Sequence, residues 1–259
     1  MEAEQNQLVF ETVALAGEIL VSSGAEIFRV TETMERIAAA YGCEGFEPFV
    51  LSNGIMMTAS DGRQHCLAKV RHIPLTGSRR DKVDAVNQLS REIARGLHTP
   101  EEAHARLLEI QDMPRKPRWQ QVLASGVGAG SFCYIFGGTL ADGAAAFVAG
   151  LLLYLYLLVA VRGRLSKIAA NITGGALVCA AAILLIELGL GSQLSMVTVG
   201  SLVPLMPGVA FTNAIRDIAD EDYISGAVRM LDVFLVVVCM AFGVGLVMAL
   251  WARLGGALA

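Results

Sequence analysis

Pro204-Leu205-Met206-Pro207-Gly208 lies in the middle of an apolar stretch covering residues 194–214. A helix needs about 20 apolar residues to cross a bilayer, so the stretch is long enough to span. Each proline, however, removes an amide donor and turns the preceding residue away from helical geometry, while Gly208 adds backbone freedom. The sequence therefore predicts a span that divides into two half-helices near the bilayer midplane. In transporters such breaks free carbonyls and helix ends to hold ions or substrate.

Four more apolar stretches accompany this one, at roughly 119–138, 141–161, 168–188 and 230–251, each near the length a span requires. The first is glycine-rich, and Gly126-x-x-x-Gly130 suits helix–helix packing better than contact with lipid. Charge divides the chain in the same way. Of the first 118 residues 31 are charged, against 13 of the following 141; a soluble composition carries about 25%. The 54% hydrophobic residues and a mean hydropathy of +0.56 over the whole chain speak against disorder and against a purely soluble enzyme. The reading is an α-helical polytopic membrane protein of five spans, the fourth broken, in residues 119–259, preceded by an N-terminal α+β domain in residues 1–118.

Basic residues give the orientation. Arg115, Lys116 and Arg118 precede span 1; Arg162, Arg164 and Lys167 lie between spans 2 and 3; Arg216 and Arg229 lie between spans 4 and 5. The two other links carry no Lys or Arg, and only Arg253 goes against the pattern. The N-terminus is expected in the cytoplasm and the C-terminus outside, with Trp119 and Trp251 at span ends. The acidic start, Met1-Glu2-Ala3-Glu4, lacks the basic and apolar regions of a signal peptide, so residues 1–118 read as a cytoplasmic domain. A net charge of −4 and a pI near 5.6 speak against nucleic acid as a partner.

The soluble half reads as two helices, a small antiparallel sheet and two more helices. Residues 5–22 align Val9, Val13, Ala16 and Leu20 on one face. Ser23 and Glu26 have capping-box spacing for a second helix carrying Ile27, Val30, Met34, Ile37 and Tyr41, which Gly42 ends. Segments 54–59 and 64–70 flank Asp61-Gly62, a hairpin signal. Residues 81–97 align Val83, Val86, Leu89, Ile93 and Leu97, and Thr99-Pro100-Glu101-Glu102 opens a last helix.

Catalytic chemistry finds little support. His65 and Cys66 are strand neighbours and point to opposite faces. His98 and His104 lack the spacing of a helical zinc pair, and none of the four lysines follows a glycine, which excludes a Walker A loop. Five scattered cysteines suit no disulfide framework and read as reduced, packed thiols. No cofactor or metal site is read.

The functional candidates follow the broken span. Asn213, Arg216, Asp217 and Asp220 fall at i, i+3, i+4 and i+7, on one helical face. Arg229 and Asp232 stand three apart at the start of span 5, and Asp232 runs directly into Val233-Phe234-Leu235-Val236-Val237-Val238. Ionisable groups at a membrane mouth are costly unless paired or wetted, so they default to a functional role. With no ATP motif, transport would run on an ion gradient. All four histidines lie in the soluble half, which leaves Asp217 and Asp232 as proton-relay candidates. Arg216, Arg229 and the half-helix after Gly208 could receive a substrate carboxylate. A membrane-anchored enzyme, or a sensor or scaffold subunit using the soluble domain, is the alternative.

Pro204-Leu205-Met206-Pro207-Gly208-Val209-Ala210-Phe211-Thr212-Asn213-Ala214-Ile215-Arg216-Asp217, with Asp222-Tyr223-Ile224-Ser225-Gly226 and Arg229, resembles the signature of the threonine/serine exporter (ThrE) family. Ser23-Gly24-Ala25-Glu26 with Arg29-Val30, then Ala85-Val86-Asn87 and the Thr99 helix start, resemble the same family in the soluble half. The resemblance implies a bacterial inner-membrane exporter of threonine/serine or of a dicarboxylate such as succinate. The resemblance also implies that full-length members carry a second membrane domain of about four spans after this one. This chain ends at Ala259 and so resembles the larger subunit of the split form. That form implies a small four-span membrane partner and an oligomeric assembly in the lipid bilayer.

Overall fold

The computed structural model describes residues 2–60, 66–74, 77–162 and 165–255. The backbone forms two compact units. One comprises Met1–Pro114 with Gly208–Leu231, the other Arg115–Pro207 with Asp232–Ala259. The charge boundary near residue 118 thus coincides with one chain crossing, and two further crossings return residues 208–231 to the first unit.

In the first unit, helices α1 (Glu2–Ser22), α2 (Ile27–Ala40), α3 (Arg80–Ala94) and α4 (Pro100–Gln111) pack on a three-stranded antiparallel sheet of β1 (Glu47–Leu51), β2 (Gly54–Ser60) and β3 (Cys66–His72), in the order β1-β2-β3. The register sets Phe49 opposite Met56 and Met56 opposite Val70. The alternate residues Val50, Ile55, Met57 and Ala59 face inward, as the two-residue period of a strand requires. They meet Val13, Leu20, Ile27, Val30, Met34, Ile37, Val86, Leu89, Ile93 and Leu107 in one core. Gly17 makes the layering possible: a Cβ there would stand 2.6 Å from Met34 Sδ and 2.8 Å from Ile55 Cδ1.

Two local readings need correction. Ser23 and Glu26 do not form a capping box. Ser23 belongs to the end of α1, where Gly24 N–H donates to Val21 O and Ala25 N–H to Leu20 O around a Gly24 φ of +76°. This is a Schellman closure, which glycine adopts without Cβ strain. Glu26 then stands extended at the head of α2 with no side-chain cap bond. Leu97 is not on the α3 face. The helix closes at Arg95, Gly96 takes a φ of +74°, and Leu97 is exposed. The cap at Thr99 does form, with Thr99 Oγ1 accepting from Glu102 N–H and the Glu102 carboxylate accepting from Thr99 N–H. The Asp61-Gly62 turn and His65 lie outside the described residues.

In the second unit, α5 (Arg118–Ile135), α6 (Leu140–Arg162), α7 (Lys167–Glu187) and α8 (Leu194–Leu202) pack with the Asp232–Arg253 part of α10 (Tyr223–Arg253). The glycines of α5 work as their spacing predicts. A Cβ on Gly126 would meet Leu151 Cδ2 at 2.7 Å, and one on Gly130 would meet Gly143 O at 2.8 Å, so α5 and α6 touch backbone to backbone. Asp142, fully buried at the start of α6, accepts from the amides of Ser192 at 2.6 Å and Gln193 at 3.0 Å, and from Thr139 N at 2.8 Å. A buried carboxylate with this many donors is satisfied and holds the α7–α8 turn against α6.

Among the described residues three helices are long and apolar enough to cross a membrane: Leu140–Val159, Lys167–Glu187 and Tyr223–Arg253. A fourth is obtained if Leu194–Leu205 and Gly208–Ala219 count as one broken span. Helix α5 is not among them. The break itself is where the prolines place it. A 3-10 turn covers Val203–Leu205, Met206 is extended at ψ 128°, and α9 (Gly208–Ala219) starts at the glycine.

Gly17→Val should force Met34 and Ile55 apart. Overpacking of this kind costs about 1–3 kcal/mol, so the unfolding midpoint of the purified protein should fall, while Gly128→Ala, where a Cβ meets nothing within 4 Å and helix propensity favours alanine, should not lower it.

Candidate functional site

The site is built on the turn between α1 and α2. With α1 closed at Gly24, the Gly24 and Ala25 carbonyls accept no backbone hydrogen bond among the described residues, and Glu26 gives α2 no side-chain cap. Such carbonyls and first-turn amides need partners when buried. The partners come from α9 and α10, far along the chain: Asp217 is 190 residues beyond Ile27 and Arg229 is 204 beyond Ala25. Asn213 Nδ2 donates to Gly24 O at 2.8 Å, and Arg229 donates to Ala25 O at 2.8 Å. Asp217 Oδ1 accepts from Ile27 N–H at 3.2 Å, acting as the cap that α2 lacks locally. Arg216 pairs with Glu26, which also holds Arg29 at 3.2 Å.

Asp217 and Arg229 face each other behind this turn. Arg229 Nη1 and Asp217 Oδ2 are 3.0 Å apart, with side-chain exposures of 6% and 1%. Neither atom has a hydrogen bond in proper geometry, so opposite charge alone satisfies them. Removing one partner of a buried pair leaves the other's desolvation uncompensated.

A second turn aligns the pair. Asp222 N–H donates to Asp217 O and Glu221 N–H to Ile218 O, closing α9 as Gly24 closes α1. Here the left-handed position is Glu221, with φ +69°. Gly226 then lets α10 start flush against α9, since a Cβ would stand 2.5 Å from Ile218 Cγ1. One turn of α10 back from Arg229, Ser225 Oγ accepts from Ser52 N–H at 3.2 Å, so the β1–β2 turn is held as well. Burial and the neighbouring Asp220 push the Asp222 carboxyl above its ordinary range.

The predicted residues therefore separate. Asn213, Arg216, Asp217 and Arg229 converge on the α1–α2 turn. Asp220 is exposed at the end of α9. Asp232 belongs to the second unit and pairs with Lys167 Nζ at 2.5 and 2.6 Å, on a partly exposed surface. Pro204 lies in the 3-10 turn, Pro207 closes that segment, and Gly208 starts α9. Sequence reasoning missed the Gly24 and Ala25 carbonyls, which carry no side-chain signal. It also missed Arg80, Asp84 and Asn87, which line a cleft together with Gly208, Asn213 and Arg216.

Buried opposite charges and a polar helix face lie on helices that follow a proline-broken apolar segment, the kind of feature found in membrane transporters. Known proteins give the class. The chain belongs to the ThrE family, described as "Putative threonine/serine exporter", which matches residues 11–251. It is 26% identical to the "Probable succinate transporter subunit YjjP" of Escherichia coli (strain K12) over 258 residues, covering 98% of this chain and 99% of that protein. It is also 26% identical to the protein of the same name from Klebsiella aerogenes over 241 residues, covering 92% of each. No solved structure matches the chain. The chain is thus a transporter-family membrane protein and not an enzyme.

Arg229→Met should lower stability by about 3–5 kcal/mol, the cost of stranding a buried charge. The double change Asp217→Asn with Arg229→Met should recover part of that loss, because no lone charge remains. Chemical denaturation of the purified parent and the two variants checks the order.

Proposed function

We propose that this chain is the larger subunit of a two-component secondary exporter in the bacterial inner membrane. It works with a small four-span partner, and it moves a small carboxylate outward on an ion gradient. The observation that carries the reading is the convergence of Asn213, Arg216, Asp217 and Arg229 on the α1–α2 turn. Three of them stand on α9, directly after the broken segment, and Arg229 stands on α10; together they grip the opening of α2. A movement of the segment would reach the soluble half through them.

Five spans with the fourth broken, the N-terminus inside and the C-terminus outside, remain the arrangement we favour. The alternation of basic links supports it. For span 1 the support is packing: α5 lies against α6 along its glycines, as a helix shielded by other helices does. Both relatives described above are named as subunits of a succinate transporter, and this chain covers nearly their whole length. A dicarboxylate of the succinate class is therefore the favoured cargo, ahead of threonine and serine.

A dicarboxylate needs cationic sites. Arg216, half exposed in the last turn of α9, is placed to offer one, and it lines the same cleft as the first turn of α9, whose amides add positive potential. Arg229 is committed to Asp217 and Ala25 O and serves the coupling rather than the substrate. Asp217, and Asp232 opposite Lys167, are the carboxylates proposed to follow the proton gradient.

Asp217→Asn and Arg216→Ala should each abolish succinate efflux while the protein stays inserted in the membrane, as judged by blotting of washed membranes. Normal efflux from both would remove this face from the mechanism. Asp232→Asn should shift the pH dependence of efflux, and an unchanged profile would clear Asp232 of proton coupling.

A further inference from the structure

Beside the α1–α2 turn the first unit holds an open cleft of about 690 Å³, lined by α2, α3 and the start of α9. Three guanidinium groups line it: Arg29, Arg80 and Arg216. Two carboxylates line it too, Glu26 and Asp84, so the walls carry an excess of positive charge. The two arginines nearest the turn share one anion, because Glu26 pairs with both Arg29 and Arg216. Arg80 forms no ion pair among the described residues, although Asp84 lies one helical turn away on α3. Its neighbour Arg79 shows the contrast. That side chain is bound at two points to Asp81 and also donates to the Met113 and Pro114 carbonyls.

Neutral donors complete the walls. Asn87 Oδ1 accepts from Thr33 Oγ1 at 3.3 Å, which turns the amide so that its NH2 group is left to donate. Gly208, Val209 and Thr212 bring the first turn of α9 to the same cleft, where α9's own amides lack helical acceptors. A concave surface with surplus guanidinium groups, a free amide and a helix start concentrates small anions, and guanidinium forks match carboxylate geometry.

We propose that this cleft is a carboxylate-binding subsite for a small dicarboxylate, with Arg80 as its principal cation and Arg29 and Asn87 as supporting donors. The proposal rests on the exporter reading, of which it would be the entry site on the soluble side. A dicarboxylate fits better than an amino acid because three cations face two anions, and an ammonium group would add to the excess.

The test is calorimetric titration of the purified full-length chain in detergent with sodium succinate, threonine and inorganic phosphate in turn. Arg80 is exposed, so Arg80→Gln should fold normally. Succinate should bind, and more tightly than threonine or phosphate. Arg80→Gln should weaken succinate about tenfold or more, the worth of one charge-assisted hydrogen bond. Arg106→Gln, whose parent side chain pairs with Glu109 outside the cleft, should bind like the parent. Unchanged succinate binding by Arg80→Gln, or tighter binding of threonine or phosphate, would overturn the proposal. Efflux assays separate the two levels. Export by the parent chain with an unaltered succinate concentration dependence in Arg80→Gln would discard the subsite and keep the exporter. Weakened binding by Arg80→Gln, with no export by the parent chain and its partner, would keep the subsite and discard the exporter.

Discussion

One buried ion pair fixes how α9 and α10 meet the α1–α2 turn. Asp217 and Arg229 are almost wholly withdrawn from water, yet each does more than neutralise the other. Asp217 supplies the helix cap that α2 cannot supply from its own sequence, and Arg229 takes up a carbonyl that the Gly24 closure leaves free. A buried pair is weak as a source of stability, because desolvation consumes most of its attraction. Its value here is specificity. Only one placement of α9 and α10 on the α1–α2 turn satisfies all four polar groups, so these helices cannot slide on it without stranding a charge.

The constraint reaches across the first unit. The segment after Pro207 is held to the α1–α2 turn by directional bonds, and the β1–β2 turn is held by Ser225 in the same way. The second unit is built on a different principle. Its helices meet at glycines, where backbones touch and side chains are absent, and Asp142 ties the α7–α8 turn through amides alone. Backbone packing of this kind is how apolar helices associate without a hydrophobic driving force.

Much of this was legible in the sequence, for reasons that differ by residue. The proline pair and Gly208 act on their own backbone, so the break at Met206 could be read locally. The apolar faces of α1 and α2, the Thr99 cap and the small-residue stripe of α5 are likewise local or periodic signals. The role of Asp217 was not legible. Its spacing shows which face it occupies, but its partner is an amide of a helix far back in the chain, and amides have no sequence signature. The same blindness turned Ser23 into a false cap: its spacing to Glu26 is right, but the freedom of Gly24 lets α1 claim the residue first. Arg80 and Asn87 were missed because a cleft is a tertiary object, assembled from helices that are distant in sequence.

The central claim, that this chain is half of an exporter, is tested most directly by efflux. Cells would be loaded with labelled succinate and would express this chain, the small membrane partner, or both, with each protein verified in the membrane. Outward flux is expected only when both are present. Absence of flux with both chains in place, or equal flux with either one alone, would contradict it.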